Sequence, residues 1–157
     1  MNLEAQRISP APIRKSLRVK ASRQKAFDTF VAMGGWWMKS HSLVPSGQKD
    51  VIIEPRAGGR WYETGNDGAE HEWGKVVAFE APDRLLLTWS LTGDFSYDPA
   101  FETTVEVRFT ADGDHTIVDF EHRDLDRYGD NAEAVRGGMD GGWGELLAGY
   151  RRAVEGG

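Results

Sequence analysis

From Asp50 onward the chain is a succession of short alternating segments separated by turn residues, and few folds accommodate that pattern. Residues 51–54, 60–64, 70–80, 84–91, 102–110 and 116–123 read as strands, and in the last four side chains alternate about one apolar face, the period of a strand with one buried face. Asn66-Asp67-Gly68, Pro82-Asp83 and Asp112-Gly113 stand between them as turns, the Asp-Gly pairs because glycine accepts positive φ without steric cost. Gly58-Gly59, after Pro55, reads as a bulge that bends the sheet. Residues 13–20 add a first strand, so six or seven strands are expected. Short connections imply antiparallel neighbours.

Helical periodicity occurs only at the two ends of this strand series. Ser22 is a helix N-cap, followed by Ala26, Phe27, Phe30 and Val31 on one face. Gly34-Gly35 closes that helix, and Trp36-Trp37-Met38 reads as a second short helical turn. At the C-terminal end, Val135, Met139, Trp143, Leu146, Leu147, Tyr150 and Val154 recur at steps of three and four. The same stretch holds glycine at 137, 138, 141, 142, 144 and 149. Each interior glycine costs a helix roughly 0.5–1 kcal/mol relative to alanine. The expected arrangement is α+β: a curved antiparallel sheet covered by a long C-terminal helix, with a ligand cavity where glycines withhold side chains. A kink or break is expected at Gly141-Gly142.

The 157 residues suit one domain over residues 13–157, preceded by a loose tail over 1–12. Cysteine is absent, which removes disulfides, zinc–thiolate sites and thiol catalysis together and suits a reducing cytoplasm. A net charge of −6 with no basic stripe argues against nucleic-acid binding, and no apolar run is long enough to span a membrane. No phosphate loop, dinucleotide fingerprint or nucleophile elbow is present, so no cofactor is expected.

Several motifs occur in a recognisable order. They are Gly34-Gly35-Trp36-Trp37, the run from Glu54-Pro55-Arg56 to Trp61-Tyr62-Glu63, Trp73-Gly74-Lys75-Val76, Pro82-Asp83-Arg84-Leu85 with Thr88-Trp89, the strand Val105 to Phe109, Phe120-Glu121-His122-Arg123, and Gly142-Trp143. Together they resemble the bacterial branch of the heat-shock-protein ATPase activator homologues, part of the START / birch-pollen-allergen superfamily, also called SRPBCC. The resemblance spans about residues 13–154. It implies a helix-grip fold with an internal cavity. Functions within the superfamily range over lipid carriers, polyketide cyclases, hormone receptors and co-chaperone domains, and fold alone does not choose among them.

Candidate ligand-binding residues are Trp61, Trp73, Trp89, Phe120, His122, Met139, Trp143 and Leu147, all on the strand faces or helix stripe that should meet under the helix. The expected occupant is a small, mainly hydrophobic molecule. Trp61 alternates with Arg60 and Tyr62, so only one of these sets faces inward, and Trp61 is the expected one. His122 shares a face with Phe120 and Val118; it is the candidate acid–base residue of a cyclase- or hydrolase-type enzyme working with a strand carboxylate, although a structural hydrogen bond is the more ordinary role. Glu63, Glu102 and Glu106 are the strand carboxylates, and the alternation leaves open which of them is inside. Glu70-His71-Glu72 has metal-ligating types, but consecutive strand residues point to opposite faces, so a solvated strand end is expected and no metal site is assigned. His41 and His115 fall in expected loops and receive no role. A heat-shock ATPase and a second copy of the chain are the macromolecular partners to consider.

Overall fold

The computed structural model describes residues 10–156, so most of the tail expected over residues 1–12 lies outside the described residues. Seven strands form one antiparallel sheet: β1 (Ile13–Val19), β2 (Gln48–Ile53), β3 (Arg60–Gly65), β4 (Glu70–Glu80), β5 (Arg84–Trp89), β6 (Thr103–Asp112) and β7 (His115–Arg123). Their order is β1-β7-β6-β5-β4-β3-β2, so β2 through β7 form one meander and β1 adds to its far edge. The helix α1 (Arg23–Val31) and a long loop carry the chain from one edge of the sheet to the other. The α+β helix-grip expectation holds.

Irregularities in the ladder curl the sheet. Register shifts fall between Trp61 and Tyr62 on β3, opposite Trp73, and between Val76 and Ala78 on β4. Each inserts a residue on one strand and increases the local twist. Gly74 lies at the first of these. A Cβ there would come within 1.8 Å of the Thr88 carbonyl oxygen, so only glycine lets β4 and β5 approach this closely.

On the concave face, β5, β6 and β7 bury Leu85, Leu87 and Trp89, then Val105, Val107 and Phe109, then Val118, Phe120 and His122. The opposite face is charged. There Glu106 accepts from Arg84 and Arg123, each at 2.6 Å, and Glu121 joins Arg123 to Arg14. Burial pushes the Glu106 carboxyl up, but these hydrogen bonds and the Arg108 charge outweigh it and leave the group below its usual value. Glu106 is therefore a link in an outer ion-pair lattice and faces away from the helix.

The helix α2 (Ala132–Gly156) lies over the concave face and buries Met139, Trp143, Leu146, Leu147, Tyr150 and Val154. Contrary to expectation, it runs through Gly141-Gly142 without interruption. Two causes are visible. Buried anchors lie on both sides of the glycine pair, and none of the helix glycines has the positive φ that ends a helix. The break comes earlier, at Gly129 (φ 67°, ψ −136°), inside the 3₁₀ stretch Leu125–Asn131.

α1 begins as expected, with Ser22 Oγ accepting from the Lys25 N–H at 3.1 Å. The short helical turn after it spans Met33–Gly35, not Trp36-Trp37-Met38. Both Trp36 and Trp37 N–H groups donate back to the Met33 carbonyl and turn the two indoles inward. Tyr150 ties the layers together: its hydroxyl donates to the Ala26 carbonyl at 2.7 Å, and its ring meets Phe30 edge-on at 5.2 Å.

Candidate ligand pocket

Five tryptophans form a continuous aromatic lattice under the N-terminal half of α2. Trp37 meets Trp73 at 4.8 Å and Trp143 at 5.7 Å, Trp61 meets Trp73 and Trp89 at 5.5 and 5.6 Å, and Trp89 meets Trp143 at 5.6 Å. A pocket of about 520 Å³ opens against this lattice. Trp37, Trp73, Trp89 and Trp143 form its inner wall, and Gly138, Met139, Gly142 and Leu146 of α2 its second side. Leu91 and Phe95 close it from the β5–β6 loop, and residues 40–43 from the loop before β2. Gly138 has no atom within 4 Å of where a Cβ would be, so the missing side chain is open space in the pocket wall.

Of the expected ligand-binding residues, Trp73, Trp89, Met139 and Trp143 line this pocket. Trp61, Phe120 and His122 are buried behind it against its tryptophans, and Leu147 is buried in the core. Trp61 does face inward, with Glu63, while Arg60 stacks on Tyr62 at 4.1 Å on the other side of the strand. Sequence reasoning missed the loop contribution: Trp37, residues 40–43, Leu91 and Phe95. Loop residues carry no periodicity, so nothing in the local pattern aims them at α2. The usable signal was Gly138 and Gly142, one turn apart on the helix.

His122 is fully buried and both ring nitrogens are engaged. The Trp143 indole donates to Nδ1 at 3.1 Å, and Nε2 lies 2.7 Å from Thr103 Oγ1, whose own hydroxyl donates to the Trp89 carbonyl. An indole N–H only donates, so Nδ1 is the acceptor and Nε2 carries the proton. Burial pushes the imidazole down to about 3, against a weaker upward pull from Asp124. His122 is a neutral strut between β6, β7 and α2, with no free nitrogen for proton transfer.

The stability that neutral His122 contributes depends on pH. The unfolded chain binds a proton at this residue near its ordinary value of 6.5, and the folded chain only near 3. Stability contributed by neutral His122 is therefore complete above about pH 6.5 and is lost as pH falls, by up to about 1.4 kcal/mol per pH unit. Long-range ¹H–¹⁵N spectra at pH 5 should show a neutral Nε2–H ring for His122, and the urea midpoint should fall between pH 6.5 and 5. A protonated His122 at pH 5 would contradict this geometry.

Glu63 is the carboxylate that lies inside, fully buried and with no cation paired to it among the described residues. Its Oε1 accepts from the Leu43 N–H at 2.6 Å and the Trp73 indole at 3.2 Å. Its Oε2 accepts from Ser42 Oγ at 2.7 Å and Gln48 Nε2 at 3.1 Å. These four donors make Glu63 the clamp that fixes both the loop of residues 40–43 and the Trp73 ring. Glu102 is exposed. Among the described residues no cluster of metal-ligating side chains occurs, Glu70-His71-Glu72 included.

Comparison with known proteins decides the family. The sequence model for the Activator of Hsp90 ATPase homolog 1-like protein family matches residues 21–155. This chain belongs to that family. No functionally curated protein matches it significantly. Among solved structures, the chain is similar to Txn09, described as an anthrahydroquino-gamma-pyrone synthase complexed with SUM (35% identity, TM-score 0.64, covering 90% of this chain and 96% of that one). It is also similar to CalC of Micromonospora echinospora, described as a self-sacrificing resistance protein (35% identity, TM-score 0.70, covering 92% and 94%). The Aha1 dimer of Colwellia psychrerythraea shares the fold at 15% identity and a TM-score of 0.67, covering 93% of this chain and 97% of that one. Among the described residues, this member of the Activator of Hsp90 ATPase homolog 1-like family has no helix long and apolar enough to cross a membrane.

Proposed function

We propose that this family member binds a flat, mainly apolar aromatic small molecule in the tryptophan-walled pocket between the sheet and α2. The observation that carries the reading is the pocket itself: about 520 Å³ walled by four indoles, with glycines where α2 could have filled it. That volume lies within the range typical of small-molecule sites, and indole faces favour stacking on extended π systems. The similarity to an anthrahydroquino-gamma-pyrone synthase, at 35% identity, supports a ligand of polycyclic aromatic type.

A second reading, conversion of the bound molecule, is favoured by the synthase similarity. His122, the residue expected to do such work, is not available for it, as its nitrogens bind Trp143 and Thr103. Product analysis after incubation with a hydroxylated polycyclic ketone separates binding from turnover. A cytoplasmic setting, a homodimer and association with a heat-shock ATPase remain proposals that the family membership raises.

Filling the pocket gives the sharpest variant. Gly138→Leu projects an isobutyl group into open space and removes a helix glycine, so the fold should gain up to about 1 kcal/mol. Binding of 2-hydroxyanthraquinone, followed by quenching of tryptophan fluorescence, should weaken at least about tenfold, a loss of about 1.4 kcal/mol. Unchanged affinity in a stably folded variant would move the binding site elsewhere. Native mass spectrometry of protein purified from its own host should also reveal a non-covalent small molecule bound one to one.

A further inference from the structure

We propose that His41 is the polar recognition residue of this pocket and selects ligands that carry a free hydroxyl on the edge of the aromatic ring system. The inference rests on the pocket's being a small-molecule site and adds the chemistry of its ligand.

Apart from Ser40 and His41, which bond each other, the polar side-chain groups of the wall are satisfied or sealed from the pocket. Ser42 Oγ donates to Glu63 and accepts from the Val44 N–H. The indole N–H groups of Trp37, Trp73 and Trp143 donate to the His41 carbonyl, Glu63 and His122. The Trp89 N–H has no partner among the described residues but is sealed from the pocket by burial. On His41, Nδ1 lies 3.1 Å from Ser40 Oγ, and Nε2 has no hydrogen-bond partner among the described residues. Nε2 points across to α2, 3.8 Å from the place a Gly142 Cβ would take. The backbone on either side is fixed, with the His41 N–H donating to the Met38 carbonyl at 2.9 Å and the His41 carbonyl accepting from Trp37 Nε1 at 2.8 Å. The imidazole is thus held at the wall with one nitrogen to spare.

A hydroxyl is the group that fits. If Ser40 donates to Nδ1, Nε2–H is a donor and the ligand oxygen accepts. If Nδ1–H donates to Ser40, Nε2 is an acceptor and the ligand hydroxyl donates. A phenol or enol satisfies either tautomer. An ether satisfies one and adds a methyl group to the same space.

The test compares 2-hydroxyanthraquinone with 2-methoxyanthraquinone on the intact protein, by calorimetry and tryptophan quenching. Wild type should prefer the phenol about tenfold, the scale of one added hydrogen bond in a low-dielectric site. His41→Phe should abolish the preference, leaving the two probes bound equally, and His41→Gln, whose amide both donates and accepts, should restore much of it. Near-UV circular dichroism matching wild type certifies each variant's fold. If wild type binds both probes equally, or His41→Phe retains the preference, the role of His41 is overturned and the pocket stands. If wild type binds neither probe, the aromatic-ligand reading fails and this inference falls with it.

Discussion

Replacing Trp143 by alanine should cost about 3–5 kcal/mol of stability, the range for deleting a large aromatic from a packed core. Trp143 is 2% exposed and packs against Trp37, Trp89 and Phe120, with the Phe120 ring at 4.5 Å. It is the point where α2 locks into the sheet. Its loss also strips His122 Nδ1 of the indole donor. The substitution therefore combines a cavity with an unsatisfied buried acceptor, and the two costs add in the same direction. Trp143→Phe should cost less, because most of the ring area remains, but it still breaks the hydrogen bond. Urea unfolding followed by circular dichroism measures both. A loss below about 1 kcal/mol for Trp143→Ala would mean that α2 is held elsewhere.

Glu63→Leu should cost about 3 kcal/mol or more, and its effect should be concentrated at the pocket. Leucine approximates the volume but accepts no hydrogen bond. The Leu43 N–H, Ser42 Oγ, Gln48 Nε2 and Trp73 Nε1 would all lose their acceptor in a dry environment. Removing one side of a buried polar network costs more than the network contributes, because the abandoned groups stay desolvated. Residues 42 and 43 both hydrogen-bond this carboxylate, so the loop should detach before the sheet does. Amide exchange should rise at Leu43 and Val44 while β6 and β7 remain protected, and pocket affinity should fall with it. Uniform loss of protection across the chain would show that Glu63 is a general core residue and not a loop clamp.

The sheet was legible because its signal is local. Val105, Val107 and Phe109 alternate in sequence and face one way in the structure, and Asp67-Gly68 and Asp112-Gly113 turn where turn chemistry places them. The buried stripe of α2 was legible for the same reason, since Met139, Trp143, Leu146 and Tyr150 keep helical spacing. Glycine was over-read. At 141 and 142 the intrinsic preference lost to packing on both sides of the pair, whereas Gly129 broke the chain through its φ. Glu63 and His122 were legible as buried-face residues but not as a clamp and a strut, because their partners lie 10–21 residues away on other elements. His41 was opaque: it sits in a loop, and only the tertiary path of residues 40–43 carries it to α2.

If glycine on α2 keeps open an aromatic-walled binding site, filling that space must cost affinity. Calorimetric titration of wild type and Gly138→Leu with 2-hydroxyanthraquinone tests it most directly. One-to-one binding by wild type is expected, with at least about tenfold weaker binding by a variant whose unfolding midpoint is equal or higher. Equal binding by the two proteins, or no binding by wild type, would contradict it.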